Sequence, residues 1–472
     1  MQDSSPHDVV RELWSAAGHD PEALDRLELT GNDPVLPSSF RVGTAAQATI
    51  AASTLAAAEI WRARTGERQR VSVDMRHAAV EFRSEHYLRI DGAPYGETWD
   101  AIAGTYRCGD GRWLRLHTNF PHHRDGVLEL LDCAYDRAAV QAALDGWQAE
   151  DFETAAAEAG LVATMMRSPD EWNAHPQGQA LATLPLFSIE KIGEAPPEPL
   201  GAAHRPLAGL RVLDLTRVIA GPVCGRALAA HGADVMNVTG PHLPSIPALV
   251  IDTGRGKRAA HIDLRDAAGA ETLKSLLRDT DIFMQGYRPG AVAGHGFSPQ
   301  EAAKLRPGLI YVSLSAYGEI GPWSGRRGFD SLVQTASGIN HAEAEAAGLD
   351  TPKPLPCQAL DHGSGYLMAF AAMTALERRA TEGGSWHARV SLAQTGRWLQ
   401  GLGRLADGLA CPDPSFETVG DLLEESPSGF GALTAVRHAG RLSETPPHWE
   451  HPSMPLGSHE PRWAEHLESA TQ

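Results

Sequence analysis

Between residues 207 and 340 short apolar runs alternate with helical segments, and this alternation constrains the fold more than any other feature of the chain. The run Leu210 to Leu215 (LRVLDL) reads as a buried strand, and TRVIAGP turns from it into a helix with Pro222 in the first turn, where a missing N–H costs nothing. After Gly232 the run ADVMNV predicts another strand. A helix over 267–277, the strand DIFMQG, the loop YRPG, a helix opened by Ser298 and Pro299, and the strand LIYVSLS follow. The pattern predicts an α/β fold, an open parallel sheet of Rossmann-like type with helices on both faces. Ligands of such sheets settle outside the carboxyl ends of the strands, here the loops TRVIAGP, QGYRPG and SAYGEIGP. None of these loops carries GxGxxG or GxxxxGK(S/T), so nicotinamide and P-loop readings have no motif behind them.

At 472 residues the chain exceeds what one core usually serves, which predicts two or more domains. No run of about 18 uncharged apolar residues occurs, and the polar start MQDSSPHDVV lacks a signal-peptide core, so the expected address is the cytoplasm, with no membrane partner. Five scattered cysteines form no CxxC pair, which fits a reducing compartment and argues against structural zinc. A net charge of -18 makes nucleic acid a poor partner while leaving room for a small anionic ligand in one basic pocket.

The chain also resembles itself. AAEIWRARTGERQRVSV from Ala57 aligns with ALERRATEGGSWHARVSL from Ala375, matching Glu59 to Glu377, Gly66 to Gly384 and Arg70-Val71-Ser72 to Arg389-Val390-Ser391. Each segment reads as a helix, a glycine stop and a strand. The helix of the second copy opens with Asp361 in ALDHGSG, and the alignment places Gly43 opposite it, with no acid nearby in RVGTAAQ. Helix capping and nucleophilic chemistry both suit an Asp at that position, since Gly is a tolerable N-cap.

LRVLDLTRVIAGP, GRGKR, QGYRPG, LIYVSLSAYGEIGP, RRGFDSLVQTASG and ALDHGSG, in that order over residues 207–395, resemble the signature of the family III coenzyme A transferases. The N-terminal 205 residues resemble the later half of the same family. This resemblance implies a partial copy over 1–205, with a linker helix at about 43–66, a smaller α+β domain at about 95–182 and a return segment. It implies a Rossmann-like domain with a long catalytic helix over 206–395, and a shortened small-domain region with a return segment over 396–472.

The resemblance assigns the catalytic carboxylate to Asp361 and a second active-site acid to Asp330. At an ordinary pKa of about 4 an Asp is ionised at neutral pH and needs no separate base to attack a thioester. Gly363 and Gly365 are expected to allow close approach, with helix N–H groups stabilising the oxyanion. Coenzyme A is expected against Arg217, Val218, Ala220, Lys257, Arg258, Arg288 and Arg327, with Tyr287 stacking on the adenine. The implied partners are an acyl-CoA and a small carboxylic acid, with no tightly bound cofactor and no metal. Family members form interlocked dimers, which implies a homodimer here or a chain that imitates that arrangement within itself.

Phe329 stands where racemase relatives carry a histidine, and a phenyl ring cannot carry a proton. Lyase, hydrolase or racemase chemistry on the same scaffold, the last disfavoured by Phe329, and CoA binding without catalysis are the alternatives. His122-His123 and His448/His451 lack a third metal ligand and read as surface histidines. His362 to Tyr366 does not satisfy the GxSxG of a serine nucleophile elbow.

Overall fold

The structure, a computed structural model, describes residues 5–96 and 99–463. Its centre is a seven-stranded sheet in the order Lys257–His261, Asp234–Thr239, Arg211–Leu215, Ile282–Gln285, Ile310–Ser315, Ser385–Ser391 and Phe187–Gly193. The first six strands run parallel, and Phe187–Gly193 adds to Ser385–Ser391 antiparallel. Strands that the apolar runs predict fall within a residue of their expected places, because each is buried on both faces and so reads as a continuous apolar run. The strand Lys257–His261 escapes that rule. Its basic start GRGKR reads as a loop, yet the two cations are neutralised by acids on the next two strands of the sheet, Lys257 by Asp214 and Arg258 by Asp234.

Two helices of 24 residues each, Val42–Thr65 and Ala359–Glu382, pack against one another through the middle of the molecule. Both are apolar on every side over most of their length, the mark of core helices. Alanine, glycine, serine and threonine dominate the first and let the backbones come close. Near the far ends of the pair Glu59 and Glu377, the residues that the internal alignment equates, approach each other. Burial first and the Glu59 charge second push the Glu377 carboxyl up to about 8. After each long helix comes a glycine, a strand (Val71–Asp74 or Ser385–Ser391), and a helix whose N-cap side chain, Asp74 or Ser391, accepts a first-turn N–H.

The two ends of the chain exchange strands. Phe187–Gly193 from the N-terminal part completes the central sheet, and Gly440–Leu442 from the C-terminal part pairs with Val71–Asp74, which itself pairs parallel with Leu27–Thr30. The hairpin Leu423–Ser428/Gly431–Val436 pairs in turn with Arg89–Ile90. A buried polar network crosses the same seam. Arg226 donates to Asp252 at 2.7 Å, the Ser84 hydroxyl donates to the same carboxylate at 2.6 Å, the Tyr366 hydroxyl donates to Glu81, and the Ala439 N–H donates to Glu81 at 2.6 Å. These bonds tie the two parts of the chain together across the seam.

A smaller α+β unit stands apart with its own core. The antiparallel strands Gly104–Arg107, Trp113–Leu116 and Ala163–Met165 carry the helices Pro121–Leu131, Arg137–Leu144 and Ala149–Glu158, packed through Tyr106, Leu114, Val127 and Phe152. Among the described residues no helix is long and apolar enough to cross a membrane.

Candidate active site

Asp361 lies in the first turn of the helix Ala359–Glu382, but it does not cap that helix. The acceptor is Asp330, the first residue of the helix Asp330–Ala336, whose Oδ2 takes the Leu360 and Asp361 N–H groups at 2.8 and 2.9 Å. Its Oδ1 takes an N–H from the Gln334 amide. The Asp361 carboxylate is left with no hydrogen-bond partner among the described residues, although the residue is only 7% exposed. The first helix repeats this arrangement. Asp33 Oδ2 accepts the Thr44 N–H at 3.0 Å and the Thr44 hydroxyl at 2.6 Å, and a Cβ on Gly43 would stand 2.2 Å from Asp33 Oδ1. The expectation that no acid stands near Gly43 is therefore corrected in space, because the acid arrives from a preceding loop.

Asp361 faces a cavity of about 80 Å³ lined by Glu85, Trp99, His117, Asn119, Val218, Ile219, Ile246, Leu249, Phe329, Asp330, Gln358 and Asp361. Both parts of the chain contribute to this wall. Burial, then the charges of Asp330 and Glu85, push the Asp361 carboxyl well above the usual carboxylate range. Asp330 is pushed up to about 6 by burial, against the pull of its three N–H donors. The donors make Asp330 the better holder of negative charge, so the first proton to stay in the site stays on Asp361. Ready ionisation at neutral pH, expected from the ordinary pKa, is thus opposed by burial and by the neighbouring charges of Asp330 and Glu85.

The cavity shares Val218, Ile246 and Leu249 with a second of about 50 Å³ that also holds Arg217 and Thr239, and this one shares Thr239 and Leu243 with a third of about 180 Å³ lined by Tyr287, His242 and Arg265. Together they form a track over the carboxyl ends of the central strands. Val218 sits where the first two meet with φ at 74°, a left-handed conformation that a β-branched residue adopts only when its surroundings force it. Arg217 donates to the Pro244 carbonyl and lies over the Phe120 ring, 5.1 Å from its centroid.

Lys257 lines the second cavity from a strand, but its ammonium is held by Asp214 at 2.9 Å and the Pro222 carbonyl at 2.7 Å, so its charge is already compensated. The remaining expected cations lie elsewhere. Arg258 is bound to both oxygens of Asp234 beside Arg211 and Ala233, at the amino ends of the strands and away from the track. Arg288 and Arg327 are exposed near each other, and Arg327 donates to the Gly160 carbonyl.

Ala220 is buried with its carbonyl against Gly365: a Cβ there would lie 2.5 Å from that oxygen and 2.8 Å from Val223 Cβ. A Cβ on Gly363 would meet Thr395 at 3.1 Å. The two glycines thus serve helix packing rather than substrate approach, and their N–H groups fall beyond the free first turn of the helix. Gly365→Ala is expected to lower stability by about 1–3 kcal/mol in a denaturant melt, since the helix Ala220–Ala230 must move to admit the methyl.

Sequence reasoning missed His117. It follows the strand Trp113–Leu116 and stacks on Phe329 with ring centroids 4.0 Å apart. An imidazole therefore stands beside the position where the sequence shows only phenylalanine. His123, expected at the surface, is buried in the same aromatic group, with Phe120 and Phe329. A lone histidine after an apolar strand gives no signal of its own, so neither position was legible.

Residues 207–415 match the model of the protein family described as "CoA-transferase family III". An acyl-CoA transferase of Gibberella moniliformis is 28% identical over 365 residues, covering 68% of this chain and 64% of the relative. An acetyl-coenzyme A transferase of Hypoxylon pulicicidum is 33% identical over 249 residues, covering 50% of this chain and 42% of the relative. The chain thus spans 64% and 42% of the length of these two relatives. A crystal structure of protein Rv3272 from Mycobacterium tuberculosis, 30% identical, aligns with 42% of this chain and 58% of its own at a TM-score of 0.39. The matched segment, less than half of the chain, holds Asp330, Asp361 and the strands that carry the track, and it is similar to CoA-transferase family III.

Proposed function

We propose that the protein moves coenzyme A between an acyl-CoA and a carboxylic acid, with Asp361 as the covalent carrier. One observation carries the reading: a carboxylate buried at the head of a cavity track whose capping work is done by another acid, Asp330. A carboxylate kept from hydrogen bonds is costly to the fold and is a stronger nucleophile once ionised.

An Asp361 oxygen attacks the thioester carbonyl, the C–S bond breaks, and CoA leaves as thiolate from an aspartyl-acyl anhydride. The thiolate then attacks the aspartyl carbonyl, the C–O bond to the acyl group breaks, and the first acid departs while Asp361 holds CoA as a thioester. An acceptor carboxylate attacks that thioester and expels the thiolate. Thiolate attack on the acceptor's carbonyl breaks its bond to Asp361, restores the carboxylate and releases the new acyl-CoA. No net proton is consumed.

The track supports the same reading. Tyr287 lines its far end, where a flat ring is proposed to stack, and Arg217 lines its middle, where an anion is proposed to bind. The decisive experiment incubates the protein with an acyl-CoA, traps with hydroxylamine or borohydride, and maps the modified peptide by mass spectrometry. The expected result is a mass change confined to the Asp361 peptide and absent in Asp361→Ala; turnover with that peptide unmodified refutes the reading.

The chain is further read as two family-like portions joined head to tail that close this site without a second subunit. The reciprocal strands, the paired long helices and the approach of Glu59 to Glu377 support it. Light scattering at assay concentration is expected to give the mass of one chain, and CoA exchange should follow enzyme concentration linearly down to nanomolar levels.

A further inference from the structure

We propose that His117 is a catalytic residue of this site, its Nε2–H donating a hydrogen bond to the substrate carbonyl oxygen as that oxygen gains negative charge. The inference rests on the CoA-transfer reading above and extends it to a residue from the N-terminal part of the chain.

An oxygen that becomes an oxyanion in a buried site needs a donor already in place. The helix that carries Asp361 has committed the donors nearest the nucleophile. The Leu360 and Asp361 N–H groups go to Asp330, and the His362 N–H closes on the Gln358 carbonyl. Among the side chains that line the cavity, His117 Nε2 is the one buried nitrogen without a hydrogen-bond partner among the described residues.

The tautomer follows from its neighbour. Ser331 is 2% exposed, so its hydroxyl proton must find an acceptor inside the protein, and His117 Nδ1 lies 3.3 Å from Ser331 Oγ. With Nδ1 accepting, the ring proton sits on Nε2. The ring is fixed by the Phe329 stack on one side and by the edge contact with Trp99, at 5.6 Å, on the other. Burial, Arg115 and His123 push the His117 pKa down to about 3, so the donor is an uncharged imidazole and does not protonate the nearby carboxylates. A buried N–H without an acceptor is unfavourable in the empty site and is relieved when a carbonyl oxygen arrives.

The test compares His117→Phe, which keeps a ring against Phe329 but offers no donor, with His117→Gln, which restores one. Exchange of labelled CoA gives kcat for each. In a second arm an acyl-CoA labelled with 13C at the carbonyl is bound to Asp361→Asn protein, with and without His117→Phe, and the carbonyl stretch is read by difference infrared spectroscopy.

The expected result is a loss of about 10²–10³ in kcat for His117→Phe, with at least a tenfold recovery in His117→Gln. The bound carbonyl band should move to higher frequency when His117 is replaced. If acyl-CoA binds and wild type turns over while kcat and band are unchanged in His117→Phe, the proposal is overturned and CoA transfer stands. If no bound carbonyl band and no exchange are seen in any protein, both readings fail together. Deuterium entering the α-carbon from heavy water in wild type but not in His117→Phe would make the imidazole a base and overturn its role as donor.

Discussion

Asp361→Asn is expected to abolish CoA exchange and, at the same time, to make the protein more stable at alkaline pH. The first effect is the loss of a nucleophile for which an amide is no substitute, a fall of at least about 10⁴ in kcat by analogy with other covalent catalysts. The second follows from the surroundings of the carboxylate, which are apolar on the side of Ile219, Ile246 and Leu249 and negative on the side of Asp330 and Glu85. An acid whose folded pKa exceeds its unfolded value binds a proton in the fold that it loses on unfolding. The wild type therefore loses stability as pH rises above about 4, by about 1.4 kcal/mol for each unit between the two values, and the loss is complete above the folded pKa. Asn has no such term. Thermal melts of the two proteins should coincide near pH 3 and separate steadily above pH 4, with the variant higher; a variant that melts lower than wild type at pH 8 would contradict this account of the site.

Asp330 should separate capping from charge. Asp330→Ala removes the acceptor of the Leu360 and Asp361 N–H groups and of the Gln334 amide, in a position closed to water. Each buried donor left unpaired costs about 1–3 kcal/mol, so a net loss of roughly 2–5 kcal/mol is expected after relief of the buried charge. Asp330→Asn keeps an acceptor for the helix and removes only the charge, so most of that stability should remain. Its effect is on pH. Removing a like charge favours ionisation of Asp361, and the rising limb of kcat/KM against pH should move to lower pH in Asp330→Asn relative to wild type. A limb that stays in place would mean that Asp330 does not face Asp361 electrostatically.

The strands and helices of the central sheet were legible because a doubly covered parallel sheet writes itself as apolar runs separated by turns, as in LRVLDL and LIYVSLS. The strand Lys257–His261 was not, since its opening cations find their partners Asp214 and Asp234 on other strands, a fact invisible along one dimension. Asp361 and Asp330 could be singled out by resemblance, but the division of labour between them depends on which N–H groups each one reaches. Gly363 and Gly365 look like room for a substrate when only the motif is read. The space they leave is filled by Thr395 and by the carbonyl of Ala220. His117 had no signal, since its meaning comes from Phe329 and Ser331, more than two hundred residues further along the chain.

The crossed ends, with Phe187–Gly193 lent to one sheet and Gly440–Leu442 lent to the other, bear on how such a molecule can be taken apart. Neither half keeps a closed set of hydrogen-bonded edges when excised, so truncation at the midpoint leaves two sticky fragments instead of two working modules. A peptide-bond break in the connection around residues 194–206, by contrast, cuts no sheet, and the nicked halves should stay clasped through a gel-filtration column.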